Sequence, residues 1–387
     1  MSLHRQVFFI GGFDPKTPRH YHRLYRQAAA ARPHTPAHES VQVGRRVEDG
    51  PLADHWDVHW QSDGEAAVHT RYTVFRWDDI VRAHWPRHLW QALQDYGAVY
   101  GVAASQGMMG RLWQGSRAGF WMAWFPLGVC LSVLALCLVL GALAKLAWGH
   151  GSPETSWPWG GILAAAALAW LPLWRGVEAR LDSEWLLRLY GFTVAQAAGR
   201  LPELEQRMDA MAEALVRRAQ AEPCAELMVV AHSTGGMLAA SVLARALKLA
   251  PELGREGAGL SLVTLGHCIP ILAWLKPAQR FRGELTSLAN TPQLVWWDIS
   301  APTDWAAFAR VPPWLTAGSA RLHQRSPRFH QALHPQHYQQ LLKNRHALHM
   351  QYLRAPDLAG GYDLICLTAG PTTLAQHHAG LTATATL

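Results

Sequence analysis

Leu227-Met228-Val229-Val230-Ala231-His232-Ser233-Thr234-Gly235-Gly236-Met237-Leu238-Ala239-Ala240 joins a hydrophobic run to a segment of small and apolar residues through a single serine. Residues 227–231 are an unbroken hydrophobic run, the pattern of a strand buried on both faces. From Gly235 onward small and apolar residues suit a helix, so strand must turn into helix within a few residues. Ser233 sits at that turn, with Ala231 two positions before it and Gly235 two positions after. Small residues there have a steric purpose, because a serine in so tight a turn projects its hydroxyl beyond the carboxyl end of the sheet and bulky neighbours would collide. The following helix aims its unpaired N-terminal amides, Thr234 among them, where a developing oxyanion would form.

Near the N-terminus, Gln6 to Ile10 is a short β-rich run that ends in Gly11-Gly12, and Pro18 to Ala31 reads as a helix before a Pro/His-rich break at Arg32 to His38. Val41 to Arg46, His55 to Gln61 and Val68 to Trp77 are strand candidates. Leu201, Leu204, Met208, Met211 and Leu215 recur at helical spacing, with Glu203, Glu205, Arg207, Asp209 and Arg217 on the other faces, which predicts an amphipathic helix. Beyond it come a strand at Glu226 to Ala231, a helix at Gly235 to Ala250, and strands at Leu260 to Leu265, Gln293 to Ile299 and Tyr362 to Leu367. Strands alternating with helices predict an α/β fold with a mostly parallel central sheet covered on both faces.

The strand, His-Ser-Thr-Gly-Gly turn and helix resemble the nucleophile elbow of the α/β-hydrolase superfamily, in particular its lipase and esterase branches. Ala231 departs from the glycine usual there, and alanine is the mildest replacement. The resemblance implies Ser233 as nucleophile and a second oxyanion amide from the loop after an early strand. Val7-Phe8-Phe9-Ile10-Gly11-Gly12-Phe13-Asp14-Pro15 looks like that loop, with Phe13 as the donor. Family order puts the acid after a later strand, where Leu294 to Trp305 offers Asp304 in a loop past Pro302, with Asp298 inside the β-rich run as the alternative; Asp357 and Asp363 are more distant candidates. The stretch Arg345 to Leu353 resembles the His-x-x-Tyr segment that carries the base in lipase-like families, which nominates His349, with His346 one turn earlier. The base usually follows the last core strand, however. If Tyr362 to Leu367 is that strand, His377 or His378 holds the expected position.

The chain has 387 residues, half of them hydrophobic and only 16% charged, with 35 Lys+Arg against 28 Asp+Glu. A soluble domain carries about 25% charged residues, so part of this chain reads as shielded from water. From Gly119 to Ala147 the only charge is Lys145, a stretch long enough to span a bilayer, which takes about 20 apolar residues, and a second uncharged run covers Trp157 to Trp174. Trp121, Trp124, Trp148, Trp157, Trp159 and Trp174 cluster at the ends, as in an interfacial aromatic belt. This pattern predicts a two-helix transmembrane hairpin over 118–175, inserted between hydrolase segments 1–117 and 176–380, with 381–387 as a tail. Arg111, Arg117, Arg175 and Arg180 flank the hairpin, so the positive-inside bias puts both large segments in the cytoplasm, on a cytoplasmic membrane of bacterial type. Met1 to Gly12 lacks the apolar core of a secretory signal. Arg175 to Phe192 has the pattern of an interfacial or core-facing helix, and Trp305, Phe308, Val311, Trp314 and Leu315 are candidates for an apolar lid or for core.

Neither G-x-G-x-x-G nor a Walker lysine accompanies the glycine loop, which argues against nucleotide binding. The five cysteines lack metal-ligand or disulfide spacing, and no His-Glu-x-x-His appears among the 21 histidines, so neither a metal nor another cofactor is expected. No basic run or recognition motif indicates nucleic acid, and the arginines suit anionic lipid headgroups better. The expectation is therefore a membrane-anchored serine hydrolase, with Ser233, His349 and Asp304 as triad and with membrane lipids and an apolar carboxylic ester as partners. A non-catalytic membrane scaffold that keeps the fold is the alternative.

Overall fold

In the computed structural model the strand candidates around Ser233 assemble into a nine-stranded sheet. The structure describes residues 3–32, 39–62, 67–85, 89–149, 159–181, 183–255, 259–313, 321–374 and 376. The strands are β1 (Leu3–Ile10), β2 (Glu39–Val43), β3 (Val47–Asp49), β4 (Ala53–Ser62), β5 (Val68–Phe75), β6 (Glu226–His232), β7 (Gly259–Leu265), β8 (Leu294–Ile299) and β9 (Arg321–Arg325). Their order is β2-β4-β5-β1-β6-β7-β8-β9, with β3 on β4. The sheet is mixed. From β5 to β9 in that order every pairing is parallel, whereas β2, β3 and β5 all pair antiparallel to β4. Loop length explains the antiparallel flange, since a parallel return needs a crossover of a dozen or more residues and the β3–β4 connection is a tight turn through Gly50, φ 69°.

The helices in chain order are α1 (Pro18–Ala30), α2 (Asp78–His84), α3 (Leu89–Ser105), α4 (Met108–Gly115), α5 (Arg117–Gly149), α6 (Trp159–Leu181), α7 (Glu184–Ala197) and α8 (Pro202–Ala221). They continue with α9 (Gly235–Leu249), α10 (Ile269–Ala273), α11 (Gln279–Ala289), α12 (Phe329–Ala332), α13 (Pro335–Lys343), α14 (Arg345–His349) and α15 (Leu364–Ala369). Alternate strand residues face opposite sides. Val7, Phe9, Met228, Val230, Val263 and Val295 point to the side covered by Tyr21 and Tyr25 of α1 and by Leu364, Ile365 and Ala369 of α15. On the other side α9 packs against β1, β6 and β7, flanked by α8 and α11.

One strand expectation changes. Tyr362 to Leu367 is not a strand: Asp363 accepts from the amides of Ile365 and Cys366 and so caps α15, which overrides the β-rich composition. Its place as last strand is taken by β9, a polar edge strand.

The chain divides into two compact units, one of Met1–His84, Arg111–Gly119 and Ala195–Leu387, the other of Trp85–Gly110 and Phe120–Val194. The sheet belongs to the first. In the second, α5 and α6 meet through Val133, Cys137, Ala166 and Trp174, and Trp170 Nε1 donates to the Cys130 carbonyl at 3.3 Å. Pro126 interrupts α5, and the Tyr100 hydroxyl repairs the helix beside it by donating to Ala123 O at 2.7 Å and accepting from Leu127 N at 3.3 Å. Among the described residues one helix, Arg117–Ala147, is long and apolar enough to cross a membrane, and most of it is exposed. The apolar run of α6 ends at Arg175, after which the helix continues through Glu178 and Arg180; residues 150–158 lie outside the described residues. In the following helix α7, Leu186, Leu187, Leu189, Tyr190 and Phe192 are buried.

Candidate active site

Ser233 follows β6 directly and adopts φ 59°, a left-handed backbone that costs a non-glycine residue roughly 1–3 kcal/mol. Its amide donates to Leu265 O at 2.9 Å and its carbonyl accepts from Gly236 N at 3.1 Å, so β7 and the first turn of α9 hold the strained residue in place. Gly235 is glycine for lack of space: a Cβ there would stand 2.3 Å from Ile10 O and 2.5 Å from Gly11 O. The β1 loop thus crosses directly over the elbow. A Cβ on Gly12 would come within 3.0 Å of Ser233 Cβ, which puts the Gly12 backbone against the serine. Ala231, inside β6 between Ile10 and Thr264, is fully buried and needs no special backbone.

The β1 loop departs from expectation at Phe13. Its amide donates to Thr234 Oγ1 at 2.7 Å, so the side chain next to the serine already takes this proton. Of the amides at the start of α9, Gly236 N donates to Ser233 O at 3.1 Å and Met237 N to Thr234 O at 3.0 Å, which leaves those of Thr234 and Gly235 next to Ser233 as the oxyanion candidates. Trp77 Nε1 donates to Gly11 O at 3.0 Å and anchors the loop from the β5 side.

Asp304 lies in the loop after β8, 2% exposed, with its Oδ1 accepting from Ala306 N at 3.0 Å. His349 closes α14, and its Nδ1 donates to Asp304 Oδ2 at 2.7 Å. The other ring nitrogen, Nε2, is buried and has no hydrogen-bond partner among the described residues. A proton on Nδ1 leaves Nε2 as a base with an open lone pair. Ser233 Oγ is turned instead toward Cys268, whose Sγ lies 3.8 Å away and donates to Ala306 O at 3.1 Å. Burial pushes the Cys268 thiol up to about 12, which keeps it protonated.

The rival acid is engaged elsewhere. Asp298 Oδ2 accepts from His267 Nε2 at 3.2 Å and from Gln324 Nε2 at 3.0 Å, while Oδ1 accepts from Ser300 Oγ at 2.8 Å. Asp357 accepts from the His334 amide and pairs with His337 at 2.7 Å; Asp363 caps α15 and pairs with Arg32 at 2.7 Å. His346 is exposed, and burial of part of its ring, followed by the charge of Lys16, lowers its pKa. His377 and His378 lie outside the described residues, as do Trp314 and Leu315. Phe308 is core, and Trp305 is half-exposed with Arg345 Cζ 3.8 Å over its ring. Among the described residues no group of three or more His, Cys, Asp or Glu side chains is arranged to hold a metal ion.

Sequence reasoning assigned no role to four neighbours of the site: His232 and Tyr352, which stand within the elbow and the His-x-x-Tyr segment, and Gly266 and Cys268. Gly266 turns with φ 56°, and a Cβ there would stand 2.7 Å from the Tyr352 ring, so this glycine lets the post-β7 loop bring Cys268 to the serine. The Tyr352 hydroxyl accepts from Ala301 N at 2.8 Å, which braces the acid loop. Glycine after a buried strand was the one visible signal. No family model, characterised protein or solved structure matches the chain.

Proposed function

We propose that the chain is a membrane-anchored serine hydrolase of α/β-hydrolase type that cleaves a carboxylic ester of a lipid-like or apolar substrate. One observation carries the reading. At the carboxyl ends of parallel strands a serine in a strained turn follows His232, whose ring lies 4.6 Å from a buried imidazole with Nδ1 bonded to a buried carboxylate and Nε2 open. In the mechanism, Ser233 Oγ rotates from Cys268 toward His349, loses its proton to Nε2 and attacks the ester carbonyl carbon. Asp304 holds the imidazolium, and the Thr234 amide with the α9 N-terminus stabilises the oxyanion. His349 then gives the proton to the departing alkoxide, and a water, activated by the same nitrogen, hydrolyses the acyl-enzyme. Phe13 joins the oxyanion hole only when Thr234 Oγ1 turns away from its amide. The chain order Ser233, Asp304, His349, with the acid after β8 and the base after β9, supports the hydrolase reading.

The exposed Leu131, Leu136, Val139, Leu140 and Leu143 of α5, with Leu163, Leu168 and Leu173 of α6, support lipid contact and a hairpin anchor on a cytoplasmic membrane. Both termini are then cytoplasmic. With native cysteines removed, a cysteine at Ser152 should react with an impermeant thiol reagent on intact cells and one near the C-terminus should not. The reverse pattern overturns the orientation.

The Ser233 contact with Cys268 in place of His349 favours a second reading, a membrane scaffold without turnover. A fluorophosphonate probe separates the two. The detergent-solubilised protein should be labelled and Ser233→Ala should not; a folded wild type that stays unlabelled favours the scaffold.

A further inference from the structure

We propose that His232, the residue before the nucleophile, is a positioning residue for the base: its Nε2–H grips the backbone of His349 while its ring backs the His349 imidazole. The inference rests on the reading of His349 as general base.

His232 ends β6, buried, with Nε2 at 2.9 Å from the His349 carbonyl oxygen. A carbonyl can only accept, so the proton resides on His232 Nε2. The two rings lie 4.6 Å apart between centroids at 40°. Tyr352 packs against both, 5.9 Å from His232 and 6.2 Å from His349. His349 is thereby held twice, by Asp304 at the ring and by His232 at the main chain.

The covalent position of His232 gives this bond its consequence. Ser233 is the next residue, so the contact ties the segment that carries the base to the strand that carries the nucleophile. Any drift of α14 away from Ser233 must break or bend it, and a displacement of about 1 Å can cost roughly a hundredfold in rate. Proton uptake by His349 also favours a neutral His232, because a second positive ring beside it would oppose formation of the imidazolium. Burial, and then the neighbouring His349, keep His232 well below the ordinary histidine value.

Three variants separate donor from packing. His232→Gln brings an amide N–H close to the position of Nε2 and loses the ring, His232→Phe keeps ring volume and loses the donor, and His232→Leu loses both. In the full-length protein in detergent, kcat and KM for a short p-nitrophenyl ester are measured beside the melting temperature. The Phe and Leu variants should lose about 10- to 100-fold in kcat with KM within about twofold, and Gln should recover to within about fivefold of wild type. If the Leu variant fails to fold, Phe carries the comparison. Wild-type kcat in the Phe variant, or an equal loss in Gln and Phe, overturns the inference while leaving the hydrolase reading intact. A wild type that neither turns over ester nor takes the fluorophosphonate label overturns the hydrolase reading and this inference with it.

Discussion

His349–Asp304 and His267–Asp298 are both buried imidazole–carboxylate pairs near the carboxyl end of the sheet, with N–O separations of 2.7 and 3.2 Å. Their acids flank the same strand end, Asp298 within β8 and Asp304 in the loop after it. The difference lies in the second ring nitrogen. In His267 the Nδ1 accepts from the Ile269 amide at 3.3 Å, and no part of the side chain is exposed. In His349 the corresponding nitrogen is buried and has no hydrogen-bond partner among the described residues. A satisfied pair has nothing left to offer a substrate and acts as a brace, here joining the post-β7 loop to β8 and, through Gln324, to β9. An imidazole with one nitrogen held and one open can move a proton.

The comparison is sharpest under isosteric substitution of the acids. Asp304→Asn should lower kcat by about four orders of magnitude, since an amide N–H facing Nδ1 favours the wrong tautomer. Ester turnover and the rate of fluorophosphonate labelling should fall together. Asp298→Asn should instead leave kcat within about threefold and cost about 1–3 kcal/mol of stability, by weakening the charge-assisted bonds from His267, Ser300 and Gln324. Denaturant melts check the second effect. A catalytic collapse at Asp298 with Asp304 dispensable would exchange the roles of the two pairs.

What the sequence could and could not tell follows the range of the interactions. The elbow at Ser233 was legible because strand, turn and helix lie within fifteen consecutive residues and the glycine at 235 answers a local steric demand. Between Asp304 and Asp298, six residues apart, loop position favours Asp304 but the histidine partner of each is not legible, because the partners lie 45 and 31 residues away along the chain. Strand β9 was missed because Arg321-Leu322-His323-Gln324-Arg325 is polar, as an edge strand tends to be. Missing it created the conflict over the base. With β9 last in the sheet, His349 follows the final strand and no appeal to His377 or His378 is needed on grounds of order. The antiparallel flange was invisible for another reason: the alternation in Ala53–Ser62 marks a strand but carries no direction.

The histidines outside the two pairs set a milder boundary. Burial is the largest influence on His20, His55, His69, His232 and His346, and it lowers the pKa of each. Below pH 6.5 the unfolded chain therefore binds protons that the folded chain refuses. Stability from these groups is complete above about pH 6.5 and declines as pH falls below it. Melting temperature should hold from pH 8 to 7 and drop steadily from 6.5 to 5, and substitution of His232 by Gln should make that slope shallower. A flat profile over that range would mean that these rings accept protons without disturbing the fold.

The smallest expected effect concerns Cys268, which stands between the two pairs: its backbone follows His267 of the satisfied pair, and its sulfur touches Ser233 beside the open one. If the serine–thiol contact were strong, it would hold Ser233 off His349 and the open nitrogen would never be used. An O–H···S contact at 3.8 Å is weak, whereas filling the empty His349 Nε2 satisfies a buried polar atom, an exchange favourable by about 1–3 kcal/mol. The serine should therefore turn to His349 whether or not the sulfur is present. Cys268→Ala should keep kcat within about threefold of wild type. For the same reason N-ethylmaleimide at pH 7 should leave activity intact over minutes, since burial pushes the thiol up to about 12 and leaves almost no thiolate to react. A tenfold gain in the alanine variant, or rapid loss of activity with the reagent, would show that Cys268 governs the rotamer of Ser233 and that the open nitrogen of His349 marks a restrained state of the site.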